Sequence, residues 1–175
     1  MNELSVIYEQ EPELRDVYVE GQRDRGLITW YFGRDIDLST YEAGDIDLPA
    51  ELLANHGQTP GNRGRAIALA MELQERVANH QQCKFAVVVD ADCDYAIGIE
   101  NSCPVLFRTD LANTEMYLHD SRVIQNFIDL NCPGAIGDPY AFLQETSGNL
   151  RKVFAVRSAI QSLGLNVKIV PFEKL

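Results

Sequence analysis

The stretch FAVVVDADCD, residues 85–94, joins five consecutive apolar residues to a cluster of aspartates. An apolar run without polar alternation is typical of a strand that is covered on both faces of a parallel sheet. Asp90, Asp92 and Asp94 follow the run at intervals of two residues. In an open α/β sheet, ligands bind beyond the carboxyl ends of the strands. The stretch therefore predicts a buried strand that ends at a functional edge.

Strand patterns recur on both sides of this stretch and alternate with helical patterns. Asp24 is placed to cap the first helix, and the loop at 56–65, rich in turn-forming residues, leads into the second. The alternation predicts an α/β fold with a mostly parallel sheet flanked by helices. The predicted strands are DVYVE at 16–20, then 36–41, 85–89, VLFRTD at 105–110 and NVKIVPF at 166–172, and the predicted helices cover 24–34, 66–79, 114–131 and 141–164.

The composition fits one globular domain over residues 1–175. The chain has 15 basic and 26 acidic residues, which gives a formal net charge of −11. No global positive field attracts nucleic acid or anionic lipid, so any polyanion needs a local basic patch, a metal or a partner. The acidic N-terminus and the short apolar stretches predict a cytoplasmic protein without a membrane partner.

The thiols and imidazoles of the chain follow no metal-binding spacing. The four cysteines form no C-x-x-C pair, and we expect reduced thiols. His56, His80 and His119 are scattered along the sequence, so we assign them no ligand role.

Carboxylates follow three of the predicted strands. Glu20 ends the first strand, Asp90 and Asp92 end the apolar run, and Asp110 ends the strand after it. On an extended segment, residues two apart point the same way at roughly 6 to 7 Å, so Asp90 and Asp92 are expected to act together. Crowded, desolvated carboxylates repel one another unless a cation lies among them. Oxygen ligands alone favour Mg²⁺ or Mn²⁺, and we predict such a metal at this edge, with Asp94 as a further ligand.

Two motifs in this arrangement resemble a known domain. VYVEG at 17–21, followed by VVVDADCD at 87–94, is similar to the Toprim domain of topoisomerases, primases, recombination mediators and OLD-type nucleases. That family has a small parallel sheet flanked by helices, with a glutamate after the first strand and a D-x-D after a later one. The resemblance covers about residues 15–130, followed by C-terminal helices and a strand at 137–172. It implies that Glu20, Asp90 and Asp92 hold Mg²⁺ and catalyse phosphodiester cleavage.

A Toprim-like family, long labelled as of unknown function, matches in more places. Its pattern of V-E-G-x-x-D, D-x-D-x-D and T-D with a glutamate five residues on reads here as VEGQRD, DADCD and TDLANTE. The family includes the nuclease effector of the PARIS anti-phage system, which works with an ABC-type ATPase and attacks tRNA. The resemblance therefore implies an antiviral nuclease with an RNA or DNA substrate and an ATPase partner, and a homo-oligomer is also compatible with it. Asp24, Asp110 and Glu115 would lie around the metal or hold a second one.

Positive side chains near the acidic edge are candidates for phosphate contacts. Arg63 and Arg65 lie in the glycine-rich loop before the second helix, where a helix N-terminus favours phosphate. The full set predicted to contact nucleic acid is Arg23, Arg63, Arg65 and Arg108.

Three other interpretations of the acids remain open. A strand ending in D-x-D also begins aspartyl-phosphate phosphatases and occurs in glycosyltransferases that bind a nucleotide sugar. The phosphatase needs a downstream lysine, and the first one here is Lys152, whereas the glycosyltransferase leaves VEGQRD unexplained. The third is a catalytically silent metal-binding module that docks on an ATPase.

Overall fold

A four-stranded parallel sheet forms the centre of the fold. The computed structural model describes residues 1–33, 37–100 and 103–167. Its strands are β1 (Arg15–Val19), β2 (Ser39–Glu42), β3 (Lys84–Val89) and β4 (Leu106–Arg108). They lie in the order β2-β1-β3-β4, and each neighbouring pair is parallel. The predicted α/β fold with a parallel sheet is therefore confirmed.

Within the described ranges, six α-helices accompany the strands. Short 3₁₀ turns also occur at Ala43–Asp45, Tyr95–Ile97 and Thr114–Leu118. The helices are α1 (Asn2–Gln10), α2 (Gln22–Phe32), α3 (Ala50–Asn55), α4 (Asn62–Arg76), α5 (Ser121–Asn131) and α6 (Pro139–Ser162). Sequence patterns predicted neither α1 nor α3.

The core lies where α4 packs against the central strands. Small and aliphatic residues of α4, including Leu69 and Leu73, are fully buried in one cluster with Phe85 and Val87 of β3. Each buried aliphatic side chain of this size stabilises the fold by roughly 1.5 to 3 kcal/mol. The apolar run of the sequence thus forms β3, the strand against which α4 packs.

The chain divides into two compact units. The first comprises Met1–Ala91 and Asn101–Thr114 and contains the sheet with α1 to α4. The second comprises Asp92–Glu100 and Glu115–Leu175 and contains α5 and α6, which pack together. The single domain expected from the sequence stays a prediction.

Three local predictions were wrong or shifted. The helix expected over 114–131 is a 3₁₀ turn followed by α5, because the Asp120 side chain accepts the N–H groups of Arg122 and Val123 and starts a new helix there. Helix α4 begins at Asn62, so Arg63 lies within its first turn instead of in a loop. The closing strand predicted at 166–172 falls largely on residues outside the described part of the chain.

Within the described ranges, each helix is too short or too polar to cross a bilayer.

Candidate functional site

Glu20 and Asp90 meet at the carboxyl edge of the sheet. Val19 of β1 is paired with Val88 of β3, so in the register of the sheet Glu20 is level with Val89, the residue before Asp90. Glu20 Oε1 accepts a hydrogen bond of 2.9 Å from the backbone N–H of Asp90. Both residues are half-buried. The predicted meeting of these two acids at one edge is confirmed.

Arg63 supplies positive charge at this contact. Its Nη1 donates to the backbone oxygen of Asp90 and lies 3.5 Å from Glu20 Oε1. The side chain is about one quarter exposed. The first turn of α4 therefore brings a guanidinium against both acidic residues, and the edge has partial charge compensation from the protein itself.

Thr114 connects Asp90 to Asp24. The backbone N–H of Thr114 donates to Asp90 Oδ1 at 3.0 Å, and its hydroxyl donates to Asp24 Oδ1. Thr114 is buried, with 6% of its surface exposed. The predicted capping role of Asp24 is wrong, because Gly21 is the N-cap of α2 and Asp24 lies in the first turn, where it bonds Thr114.

Thr109 fixes the turn that follows β3. Its hydroxyl accepts from the backbone N–H of Ala91 at 2.9 Å and donates to the backbone oxygen of Leu111 at 2.6 Å. Because the hydroxyl uses both its donor and an acceptor position, the segments after β3 and β4 are held together. The sequence signal for this role was only the T-D motif.

Helices α2 and α4 both begin beside Glu20 and Asp90. Helix α2 starts after Gly21 and helix α4 after Gly61, and neither N-cap makes a side-chain capping bond. A Cβ on Gly21 would lie 3.8 Å from Asn62 Nδ2, so the two helix starts are neighbours. The first N–H groups of a helix carry partial positive charge and attract phosphate.

The other arginines predicted to contact nucleic acid belong to the same unit. Arg65 Nη2 donates to the backbone oxygen of Ile46 at 2.6 Å and thereby supports the segment after β2. Like Arg63, it lies in α4 and not in a loop. Arg23 is exposed on α2, Arg108 is half-buried on β4, and Asp110 is exposed two residues beyond β4. Their contacts with substrate stay predictions.

Three predicted acids belong to the second unit. Asp92 is exposed and has a φ of 46°, which is in the left-handed region, so the extended-strand argument that aligned it with Asp90 is wrong. Asp94 is buried, and its backbone oxygen accepts from the N–H groups of Ile97 and Ile99. Glu115 is exposed in a 3₁₀ turn. Their metal-binding roles stay predictions.

A second polar cluster, which the sequence analysis missed, lies between α3 and α4. His56 follows α3, and its Nε2 lies 2.8 Å from Oε1 of the buried Glu72. Arg76 Nε donates to Glu72 Oε2 at 2.5 Å. Burial would raise the pKa of Glu72, but the hydrogen bonds from His56 and Arg76 outweigh it and lower the pKa below its ordinary value. No motif signals this cluster, because His56 and Glu72 are 16 residues apart.

Comparison of the chain with protein-family models, curated proteins and solved structures finds no match.

Proposed function

We propose that the protein is a metal-dependent nuclease of the Toprim type, whose centre is Glu20 and Asp90. The observation that carries the proposal is the hydrogen bond from the Asp90 backbone N–H to the Glu20 carboxylate at the carboxyl edge of a parallel sheet, with Arg63 beside Glu20 Oε1 and the Asp90 backbone oxygen. An edge of this kind is where open α/β folds bind ligands. The motifs VEGQRD and DADCD support the Toprim assignment.

The donors at this edge fit Mg²⁺ or Mn²⁺. Glu20 and Asp90 offer carboxylate oxygens, which hard divalent cations prefer, and Asp92 and Asp94 are proposed as further ligands from the sequence. When bound, the metal would polarise a phosphate oxygen and lower the pKa of bound water. Thr114 orients Asp90 through its N–H, and this fixed orientation limits the rearrangement that binding requires.

The phosphate would be received by the protein's own positive groups. Arg63 and the N–H groups at the starts of α2 and α4 all lie beside Glu20 and Asp90. Together they would bind the negative oxygens of a phosphodiester and place the phosphorus near the carboxylates. Glu20, which is half-buried, would act either as a ligand of the metal or as the base that accepts the proton of the attacking water.

The partner and the cellular role are part of the same proposal. With a net charge of −11, the chain repels polyanions at long range, so we propose that an ABC-type ATPase delivers the RNA or DNA substrate or releases the activity. Defence against phage in the cytoplasm, with tRNA as one target, is the role that the family resemblance supports.

A cleavage assay tests the proposal. Purified protein is incubated with tRNA and with plasmid DNA in Mg²⁺, Mn²⁺ or EDTA, with and without an ATPase encoded next to it. We expect cleavage that EDTA abolishes and that falls at least about 100-fold in Glu20→Gln and Asp90→Asn. Asp47→Asn removes an exposed acid elsewhere in the same unit and should retain activity. Equal activity in Asp90→Asn and the wild type would refute the assignment.

A catalytically silent module is the second candidate, because one observation favours it. Arg63 Nη1 lies 3.5 Å from Glu20 Oε1, so the protein itself balances part of the negative charge at the edge. A silent module is expected to bind Mg²⁺ weakly or not at all and to cleave neither substrate, with or without the ATPase. The same assay, combined with calorimetric Mg²⁺ titration, separates the two functions.

A further inference from the structure

We propose a second metal site, for a divalent transition metal such as Zn²⁺, formed by His56, Glu72 and Glu75 between α3 and α4. One ligand atom from each of the three side chains lies within 4.8 Å of the other two. The site is independent of the proposed nuclease centre, because it uses none of its residues and has a different donor set.

The backbone presents these three ligands at one place. Glu72 and Glu75 are three residues apart on α4, which puts them on the same face of the helix. His56 is held at the end of α3 by its N–H bond to Leu52 O at 3.2 Å, and its own backbone oxygen accepts from the Gln58 side chain at 3.1 Å. The ligands therefore come from ordered backbone on two elements.

The hydrogen bonds of Glu72 engage both carboxylate oxygens, and the bond to His56 is the one that a metal would replace. Arg76 occupies Oε2, whereas Oε1 faces His56 Nε2 at 2.8 Å. In a tetrahedral site with bonds of about 2.1 Å, two ligand atoms lie about 3.4 Å apart. The metal would bind between His56 Nε2 and Glu72 Oε1 if these two atoms moved slightly apart and the proton of their hydrogen bond were released to solvent. Arg76 would stay on Oε2 and hold the carboxylate in place.

Glu75 distinguishes a metal site from a purely structural network. Hydrogen bonds among His56, Glu72 and Arg76 explain why those three residues are together. Glu75 is exposed and stands outside that network, yet it brings a second carboxylate to the same point. One imidazole and two carboxylates form a donor set used for Zn²⁺, Mn²⁺ and Co²⁺, with water completing the coordination.

Titration with Zn²⁺ and Co²⁺ tests the proposal. The full chain carrying Cys132→Ser, which removes the exposed thiol, is titrated by calorimetry and by the visible absorption of Co²⁺. We expect one equivalent to bind at micromolar concentration and to raise Tm, because only the folded state holds the three ligands together. The Co²⁺ spectrum should lack the intense charge-transfer band that thiolate ligands produce.

Matched variants assign the ligands. Glu75 is exposed, so Glu75→Gln should leave the Tm of the metal-free protein unchanged. It should weaken the binding of Zn²⁺ and Co²⁺ at least 10-fold. Glu51→Gln, an exposed acid on α3, should bind both metals as the wild type does. The proposal is overturned if the wild type takes up neither metal below about 100 µM, or if Glu75→Gln binds as tightly as Glu51→Gln. Neither result bears on nuclease activity at the sheet edge.

Discussion

Tyr8 supplies the buried polar contact between α1 and the sheet. It is fully buried, its ring lies 4.5 Å from that of Phe85, and its hydroxyl donates to Asp16 Oδ2 at 2.8 Å. Because Tyr8 has one proton, the hydroxyl of Tyr18, 2.7 Å away, donates to it. Burial raises the pKa of Tyr18 to about 12 and also raises that of Tyr8, so both stay protonated at neutral pH.

Tyr8→Phe is expected to lower the free energy of unfolding by about 1 to 3 kcal/mol, because it removes a donor to the buried Asp16 and the acceptor of Tyr18. Urea unfolding followed by circular dichroism measures the change. Tyr41→Phe is the control, since Tyr41 stacks on Tyr18 from an exposed position and should change stability by no more than about 0.5 kcal/mol. Equal effects of the two substitutions would show that the buried hydroxyl network contributes nothing.

At this scale the sequence predicted the residues that end strands and missed those brought in by tertiary contact. Glu20 and Asp90 were predictable because parallel strands finish at one edge. Thr114 is 24 residues from Asp90, and its role depends on the path of the chain after β4. His56 reaches Glu72 only because α3 packs against α4, an arrangement that no local pattern encodes.

Among the elements, α4 depends on a glycine in its first turn. Gly64 is buried, and a Cβ there would lie 2.1 Å from the backbone oxygen of Thr59. Real side chains do not approach a carbonyl oxygen so closely, so the preceding loop would have to move. That loop leads directly to Arg63, and its position therefore affects the acidic edge.

Gly64→Ala is expected to destabilise the protein by about 1 to 3 kcal/mol through this clash and to reduce any cleavage activity by displacing Arg63. Gly26→Ala is the matched control, since Gly26 lies in α2 with no atom within 4 Å of its added Cβ. It should stabilise the protein by about 0.5 to 1 kcal/mol through helix propensity. Thermal unfolding compares the two variants, and a stabilised Gly64→Ala would contradict the close packing.

The N-cap of α5 makes a pH-dependent contribution to stability. The backbone N–H of Arg122 bonds the carboxylate of Asp120 and, with the Arg122 side chain, lowers its pKa below the ordinary value. A lowered pKa in the folded state means that the contribution is present above the unfolded pKa, about 3.9, and is lost as the pH falls through the folded pKa.

Asp120→Asn is expected to remove this pH dependence while keeping the cap, because asparagine also accepts from the backbone N–H groups but does not titrate. Tm measured from pH 6 to pH 2.5 should fall less steeply in Asp120→Asn than in the wild type. Asp120→Ala should have a lower Tm than both at pH 6. Parallel curves for wild type and Asp120→Asn would indicate that other carboxylates dominate this range.

The sequence predicted strands and helices best where their residues are most deeply buried. The apolar run of β3 and the spaced apolar residues of α4 were predicted because both are buried in the core. Helix α1 was missed because only Ser5 and Tyr8 among its described side chains are buried, whereas Val6 and Ile7 are about half exposed. The apolar residues of this segment therefore do not mark a single buried face, which is the signal by which a helix is predicted from sequence. Helix α3 has six residues, too few to give a periodic signal.

At the scale of the whole molecule, the excess of acid sets the electrostatic background. A formal charge of −11 on 175 residues favours expansion of the chain, and salt screens this repulsion over a Debye length of about 10 Å at 0.1 M. The acidic edge of the sheet adds a local repulsion, because Glu20 and Asp90 bring two negative residues together beside the Arg63 guanidinium. Salt screening and the proposed metal binding would both raise stability, so their contributions have to be separated.

Thermal unfolding in NaCl and MgCl₂ at equal ionic strength separates the two contributions. NaCl should raise Tm by screening alone, whereas MgCl₂ should raise it further, because a cation that binds only the folded state adds stability according to its concentration relative to Kd. In Asp90→Asn the additional effect of MgCl₂ should disappear while the effect of NaCl remains. Asp47→Asn removes the same charge at an exposed position of the same unit and should keep the full response to MgCl₂. An additional Mg²⁺ effect that survives in Asp90→Asn would mean that the metal binds away from the sheet edge, and the proposed catalytic centre would lose its cofactor.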